Sequence, residues 1–320
     1  MIDFSNVEGV LARAIQLVFN AHSAVIVFFV LSGFVLTLSL KRITSTNYLE
    51  EFSVFVVRRI YRIFPALIFS LIILGYIISY PSQKLVQNML LMDTSINSVA
   101  WTLKVELVGC LVVFATFMVG RIFRPGLILV GLMLTALFFG GYLMPIYAKY
   151  LPAFFVGGII ANFSRSVAVG PVAAYSALLV MLVSDMLLGY KTDSSIMLQT
   201  VCAGALILSI GRSDSMQWLN RPVLSFLGKI SFSFYLMHLV GMILTRQLCV
   251  KLGIPLGQMS MVENAIVYAA ISVPLTIVIS VVSYQFVELP MNKVGGSTAA
   301  SLRKVFTQGA LSGAPRTSEK

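Results

Sequence analysis

The chain has 320 residues, of which 58% are apolar and only 11% are charged, and its mean hydropathy is +0.93. This composition excludes a soluble globular protein, which needs more polar surface, and it indicates a polytopic membrane protein. The net charge of +11 does not indicate nucleic-acid binding, because the basic residues lie in short loops between apolar segments, where they orient membrane spans.

The amino-terminal part of the chain is too polar to cross a membrane. Residues 10–19 have the pattern of a short amphipathic helix that lies at a membrane interface, and Arg13 and Gln16 interrupt its apolar residues. The first predicted span, 24–40, is about long enough to cross a hydrocarbon core of roughly 30 Å. It ends at Lys41 and Arg42.

Further apolar segments predict an all-α transmembrane bundle of about nine spans. The spans after the first are predicted, in chain order, at residues 64–80, 101–120, 127–144, 152–163, 172–188, 197–210, 230–248 and 264–287. The membrane domain is expected to cover residues 1–292. The basic tail that follows, 293–320, is rich in Gly, Ser and Lys and is expected to be cytoplasmic and disordered.

The distribution of basic residues predicts the orientation of the chain. If successive spans alternate in direction, sixteen Lys and Arg residues fall on the side of the carboxyl-terminal tail and seven fall on the other side. The more basic side is expected to be cytoplasmic, which places the amino terminus outside. Because the chain opens without a cleavable leader, an outside amino terminus suggests that a preceding span is missing.

Three arginines form the most distinctive polar group of the chain. Arg58, Arg59 and Arg62 fall on one helical face immediately before the span 64–80, on the predicted cytoplasmic side. Arginine keeps its charge and presents a planar fork of donors that matches phosphate, so the trio is a candidate site for the phosphates of a nucleotide or coenzyme. The alternative is an ordinary group of basic residues that anchors a span.

Five short motifs occur in order along nearly the whole chain. They are FFVLSGF at 28–34, RRxxRxxP at 58–65, WTLxxE at 101–106, LGKISFSxYLxH at 227–238, and Glu288-Leu289-Pro290. Together they resemble the acyltransferase type 3 family of integral-membrane enzymes, whose members have about ten spans. The resemblance implies transfer of an acyl group, often acetyl, from cytoplasmic acyl-coenzyme A to hydroxyls of surface or periplasmic carbohydrates, and hence a place in the inner (cytoplasmic) membrane.

The resemblance also implies roles for parts of the chain. Arg58, Arg59 and Arg62 would bind the phosphates of acyl-coenzyme A. Members of the family usually begin with a span that carries an arginine and, further on, a histidine regarded as the catalytic base, and FFVLSGF belongs to the next span. This chain opens after that point, so the resemblance implies the same missing span that the topology suggests.

Acyl transfer to a hydroxyl needs a base for the hydroxyl proton, and the chain has two histidines. His22 precedes the first span on the predicted outer side, where a sugar would arrive; its alternative role is to cap the start of a helix. His238 lies inside a span in a polar stripe with Tyr235, and its alternative role is packing. Both histidines are candidate catalytic residues.

Glu106 and two aromatic residues complete the candidate site. Glu106 shares a helix face with Thr102 and Cys110 inside a span. There it either orients an imidazole or binds a sugar hydroxyl, or it is the buried partner of a basic residue on a neighbouring helix. Trp101 and Tyr235 are candidate substrate-binding residues, and Trp101 alternatively belongs to the aromatic belt of the membrane. The three cysteines, an odd number beside or within apolar segments, predict neither a disulfide framework nor a metal site.

Two other interpretations stay open. One is a secondary transporter with Lys104, Glu106 and Asp185 as its ion or substrate path, although the sequence shows no internal symmetry between two halves. The other is a truncated, inactive member of the same family. Binding of coenzyme A separates the enzyme from the transporter.

Overall fold

A computed structural model of the chain describes residues 21–42, 47–121, 149–163, 170–210, 214–256 and 259–312. In chain order its helices are α1 Ala21–Lys41, α2 Tyr48–Ile78, α3 Ser82–Met89, α4 Trp101–Gly120, α5 Leu151–Phe163, α6 Pro171–Leu188, α7 Asp193–Ile210, α8 Pro222–Lys251, α9 Met261–Ser283 and α10 Leu289–Ser312. A π-helical turn, Tyr284–Glu288, joins α9 to α10. Short 3-10 turns lie at Ser98–Ala100 and Asp214–Asn220.

Seven helical stretches within these ranges are long and apolar enough to cross a membrane, which confirms the predicted polytopic all-α bundle. They are Ala21–Lys41, Tyr48–Ile78, Ser98–Gly120, Pro171–Leu188, Asp193–Ile210, Pro222–Lys251 and Met261–Gln308. Helix α5 is also apolar, but its 13 residues extend only roughly 20 Å. The predicted interfacial helix at 10–19 and the predicted span at 127–144 lie outside the described residues.

Helix α2 begins earlier than the apolar pattern predicts. It starts at Tyr48 because Asn47 caps it, and the Asn47 side chain accepts hydrogen bonds from the backbone N–H groups of Leu49 (3.0 Å) and Glu50 (3.4 Å). With 31 residues the helix is roughly 46 Å long, more than the roughly 30 Å of a hydrocarbon core. The arginine trio therefore lies inside a continuous helix rather than at the start of one.

The carboxyl-terminal tail differs from the expectation of disorder. Helix α10 continues from the π turn to Ser312, and its Ala, Leu, Lys and Arg residues favour a helix. It also packs along α2, where a Cβ at Gly295 would come within 2.6 Å of the Tyr61 Cβ. Residues 313–320 lie outside the described part of the chain.

The chain divides into two compact units, each made of two segments. The first unit contains α1, α5, α6, α7 and all of α4 except its first residue. The second unit contains α2, α3, α9, α10 and nearly all of α8. Each unit carries its own group of candidate functional residues.

The first unit is held together by contact between the backbones of α1 and α5. A Cβ at Gly33 would overlap the carbonyl group of Phe154, and a Cβ at Gly157 would overlap the carbonyl oxygen of Val30. Gly33 and Gly157 therefore allow the two helices to approach at backbone distance. The fully buried rings of Phe29 and Phe154 pack beside this contact with their centroids 5.2 Å apart.

The second unit is tied together through the loop between α3 and α4. The buried Asn97 side chain donates hydrogen bonds to the backbone carbonyl of Leu236 (3.1 Å) on α8 and to Ser70 Oγ (3.3 Å) on α2. The Tyr235 hydroxyl on α8 donates to the backbone carbonyl of Val99 at 3.0 Å. These bonds fix the loop against the two helices that carry the arginine trio and the LGKISFS segment.

Candidate functional site

The arginine trio lies on α2 in the second unit. Arg58 and Arg62 are exposed, one helical turn apart, and Arg59 is half-buried. The guanidinium carbon of Arg59 lies 5.9 Å from the ring centroid of Phe55, and that of Arg62 lies 5.9 Å from the ring centroid of Phe232 on α8. A guanidinium that contacts a ring through its face keeps its N–H edge for another partner.

A buried carboxylate, Glu288, is built into the same unit. Its side chain is 5% exposed, and Ser233 Oγ donates a hydrogen bond of 2.7 Å to its Oε2. Arg62 packs against Phe232, the residue before Ser233. In addition, α2 packs against the π turn that ends at Glu288. We call the following residues the arginine site: Arg58, Arg59, Arg62, Phe232, Ser233 and Glu288.

The π turn before α10 orients Glu288. The backbone N–H of Leu289 bonds to the carbonyl of Tyr284, five residues earlier, instead of the usual four. Pro290 follows directly and has no N–H to continue the normal ladder, which favours a widened turn at this position. Single π turns inside helices are frequent at functional sites.

Tyr235 and His238 lie one turn apart on α8, also in the second unit. The Nδ1 of His238 donates a hydrogen bond of 2.6 Å to the backbone carbonyl of Tyr235. Their ring centroids are 5.9 Å apart. Trp101 is half-buried and follows the loop to which Tyr235 is bonded. The structure thus brings Trp101, Tyr235 and His238 into one unit.

A second polar group surrounds His22 in the first unit. His22 is 4% exposed in the first turn of α1. Its Nδ1 lies 3.9 Å from Oδ2 of Asp185 on α6, and its Nε2 lies 3.4 Å from the hydroxyl of Tyr150, which precedes α5. The rings of Tyr150 and Tyr190 meet the imidazole edge-on, with centroids 6.1 and 6.0 Å away. We call these four residues the histidine cluster.

The histidine cluster has the arrangement of a base with an orienting acid. The imidazole faces a carboxylate through one nitrogen and a hydroxyl through the other, as in base–acid pairs of hydrolases and transferases. Burial raises the pKa of the Tyr150 hydroxyl, so the phenol keeps its proton at neutral pH. Both nitrogen–oxygen distances exceed those of strong hydrogen bonds, as is frequent in active sites without substrate.

Glu106 lies in the first unit on α4. It is 2% exposed, and Thr102 and Cys110, one turn away on either side, are also buried, which confirms the predicted shared face. The candidate residues are therefore distributed between units: His22 and Glu106 belong to the first, and the arginines, Trp101, Tyr235 and His238 belong to the second. Within the described ranges no group of three or more His, Cys, Asp or Glu residues is arranged to hold a metal ion.

Tyr150, Ser233 and Glu288 are functional candidates that only the structure reveals. Ser233 and Glu288 each belong to one of the five motifs, and this was the one feature of the sequence that could have indicated a functional role for them. Tyr150 had no such signal, because only the fold brings it to His22, far away in the sequence.

Comparison with known proteins gives one match. A family model described as an acyltransferase domain matches residues 2–285, which is most of the chain and includes the arginine trio and His22. A search of curated proteins and a search of solved structures each found no match.

Proposed function

The chain belongs to the acyltransferase type 3 family, and from that premise we propose that it is a multi-pass membrane O-acyltransferase of the inner (cytoplasmic) membrane. Its acyl donor is acyl-coenzyme A, the acyl group is acetyl, and the acceptor is a hydroxyl of a cell-surface or periplasmic carbohydrate. The family and the seven candidate spans support an acyltransferase in a membrane.

The arginine site is the proposed binding site for the phosphates of the donor. Arg58 and Arg62 present two exposed guanidinium groups on one face of α2, and this is the observation that carries the proposal. Guanidinium forks match phosphate oxygens in charge and geometry, and charge-assisted hydrogen bonds of this kind are strong. Arg59, packed on Phe55, adds a third positive charge. The excess of basic residues on this side of the spans supports a cytoplasmic location, where coenzyme A is found.

His22 is the proposed base that activates the acceptor hydroxyl. Its Nε2 takes the hydroxyl proton, the hydroxyl oxygen forms a bond to the thioester carbonyl carbon, and the carbon–sulfur bond breaks. The coenzyme A thiolate leaves and receives the proton. Asp185, 3.9 Å from Nδ1, orients the imidazole and stabilises its protonated form. Glu106 and His238 remain candidate catalytic residues, and Trp101 and Tyr235 remain candidates for binding the sugar.

Transfer of labelled acetyl groups tests the proposal. Membranes that contain the full chain are given radiolabelled acetyl-coenzyme A, and label in cell-envelope carbohydrate is measured. We expect Arg62→Gln and Arg58→Gln each to lower transfer by about tenfold or more at equal protein level, because each removes a charge-assisted phosphate contact. Arg246→Gln is the matched control, since Arg246 is exposed on α8 but lies outside the arginine site, and it should leave transfer unchanged. Equal transfer by the wild type and both arginine variants would refute the donor site.

A further inference from the structure

The hydroxyl of Tyr150 faces the nitrogen of His22 that is proposed to act as the base. It lies 3.4 Å from Nε2, and the carboxylate of Asp185 lies 3.9 Å from the other nitrogen, Nδ1. A carboxylate only accepts hydrogen bonds, so Asp185 favours the hydrogen of a neutral imidazole on Nδ1. Nε2 is then an acceptor, and the phenol of Tyr150 is its donor.

Burial restricts direct access to Nε2. The side chains of His22 and Tyr150 are only 4% and 8% exposed. The Tyr150 ring also packs on the fully buried ring of Phe29, with the two centroids 5.5 Å apart. Because a closely packed ring does not swing aside easily, a hydroxyl that reacts with His22 meets the phenol first.

This buried pair of side chains lies next to an exposed polar surface. Tyr190, whose ring meets the imidazole edge-on, is 66% exposed. Lys149, the residue before Tyr150, pairs with Asp193 at 3.2 Å, and both of these side chains are exposed. The chain segments that carry the phenol and cover the imidazole therefore reach the surface from which an acceptor would come.

A phenol can pass on a proton without becoming an anion. Its oxygen accepts a hydrogen bond through a lone pair while its hydrogen is donated to a base. If the two transfers are concerted, the phenol gains one proton as it loses another. The raised pKa of the Tyr150 hydroxyl opposes a free phenolate, but it does not oppose this exchange.

We infer that Tyr150 is a catalytic residue, which relays the proton of the acceptor hydroxyl to His22. The acceptor oxygen gives its proton to the Tyr150 oxygen, Tyr150 gives its own proton to Nε2, and the acceptor oxygen forms a bond to the thioester carbonyl carbon. The carbon–sulfur bond breaks, and the thiolate leaves with the electron pair and is neutralised by the proton that His22 releases. The inference rests on the proposed role of His22 and adds that the proton reaches Nε2 through a phenol.

Replacement of Tyr150 by Phe tests the relay. Transfer of label from radiolabelled acetyl-coenzyme A to cell-envelope carbohydrate is measured on membranes that contain the full chain. We expect Tyr150→Phe, which keeps a ring beside Phe29, to lower the rate at saturating donor by about tenfold or more and to leave the KM for acetyl-coenzyme A within about twofold. The matched control is Tyr175→Phe, because Tyr175 is 47% exposed on α6 outside the histidine cluster, and it should have no effect.

A proton inventory distinguishes a relay from a purely structural role. The rate of the wild type at saturating donor is measured in mixtures of H₂O and D₂O. Two protons in motion make the rate fall along a curve as the D₂O fraction rises, and a single proton gives a straight line. We expect a curve for the wild type and a straight line for the residual transfer of Tyr150→Phe. A straight line or no isotope effect in the wild type would overturn the relay, even if Tyr150→Phe does not fold.

The failure of the relay differs from the failure of the proposed function. If His22→Asn loses transfer while Tyr150→Phe stays within about twofold of the wild-type rate, only the relay is overturned, and the acceptor meets Nε2 directly. If His22→Asn transfers at the wild-type rate, the proposed base itself is refuted, and the relay falls with it.

Discussion

The histidine cluster of the first unit and the arginine site of the second unit differ in exposure. His22 is nearly fully buried among Tyr150, Asp185 and Tyr190, whereas Arg58 and Arg62 extend into the surroundings. Exposed guanidinium groups can capture an anion from water, and a buried imidazole keeps a fixed orientation and a controlled proton. Under the proposed function, ligand capture belongs to the second unit and proton transfer to the first.

The two units also differ in what supports their polar residues. In the first unit the helices α1 and α5 meet at backbone distance, so the elements that carry His22 and Tyr150 have little freedom to move apart. In the second unit the support is polar, through the Ser233–Glu288 hydrogen bond and the packing of Arg62 on Phe232. Packing changes should therefore damage the first unit, and polar changes should damage the second.

The largest effect is expected at the α1–α5 contact. Gly157→Val places a side chain on the carbonyl oxygen of Val30 and forces the two helices apart, so it should destabilise the protein by about 3 kcal/mol or more. Thermal unfolding in detergent and the level of folded protein in membranes measure this loss. Gly170→Ala is the control, because a Cβ at Gly170 meets nothing within 4 Å. A wild-type Tm for Gly157→Val would contradict the backbone contact.

The next effect is expected in the histidine cluster. His22→Asn should lower acyl transfer about a hundredfold, the range of general-base catalysis, with donor binding unchanged. Asp185→Asn should lower transfer about tenfold, because the imidazole loses its orienting charge. The control is Asp193→Asn, since Asp193 is highly exposed and pairs with Lys149 at 3.2 Å. Transfer at the wild-type rate by His22→Asn would remove His22 from the mechanism.

A smaller effect is expected from the ring beneath Arg62. Phe232→Leu keeps an apolar side chain but removes the cation–π contact, whose contribution of about 0.5–1 kcal/mol corresponds to a two- to fivefold increase in KM for acetyl-coenzyme A. The saturated rate should stay the same. Phe234→Leu, two positions along α8, is the comparison variant. Equal KM values for both variants would show that the ring does not support Arg62.

The smallest effect is expected in the loop of the second unit, outside the spans. The hydroxyl of Ser95 and the N–H groups around it lower the pKa of Asp93. At pH values above about 3.9, the pKa of an Asp side chain in the unfolded chain, the ionised carboxylate of Asp93 stabilises the loop. This stabilisation is lost as the pH falls through the lower pKa that Asp93 has in the folded chain. We expect the Tm difference between the wild type and Asp93→Asn to be small at about pH 6 and to shrink further at about pH 3. A difference that grows on acidification would contradict the assignment.

Local sequence patterns predicted the helices better than the sites. Apolar runs located α1, α4 and α6 to within a few residues, because a membrane span must be apolar along its whole length. The start of α2 was missed, since it depends on the cap at Asn47 rather than on hydropathy. The helical tail to Ser312 was missed because its stability includes packing on α2, which composition does not reveal.

The sites depend on contacts between distant parts of the chain. The arginine trio could be predicted from the sequence because its three members lie within five residues of one another. Ser233 on α8 meets Glu288 only in the folded chain, where a π turn between α9 and α10 holds Glu288, and hydropathy does not predict such a turn. His22 was a candidate base from the sequence because it is one of two histidines. Its partners Asp185 and Tyr150 come close to it only when α1, α5 and α6 pack together.

Photochemical labelling with an azido analogue of coenzyme A tests the central claim most directly. The purified full chain is irradiated with the analogue, and labelled peptides are identified by mass spectrometry. The account predicts labelling of α2 within about one turn of Arg58 and Arg62, loss of that label with excess coenzyme A, and at least a tenfold reduction in the Arg58→Gln, Arg62→Gln double variant. Equal labelling of the wild type and the double variant, or labelling only outside α2, would contradict it.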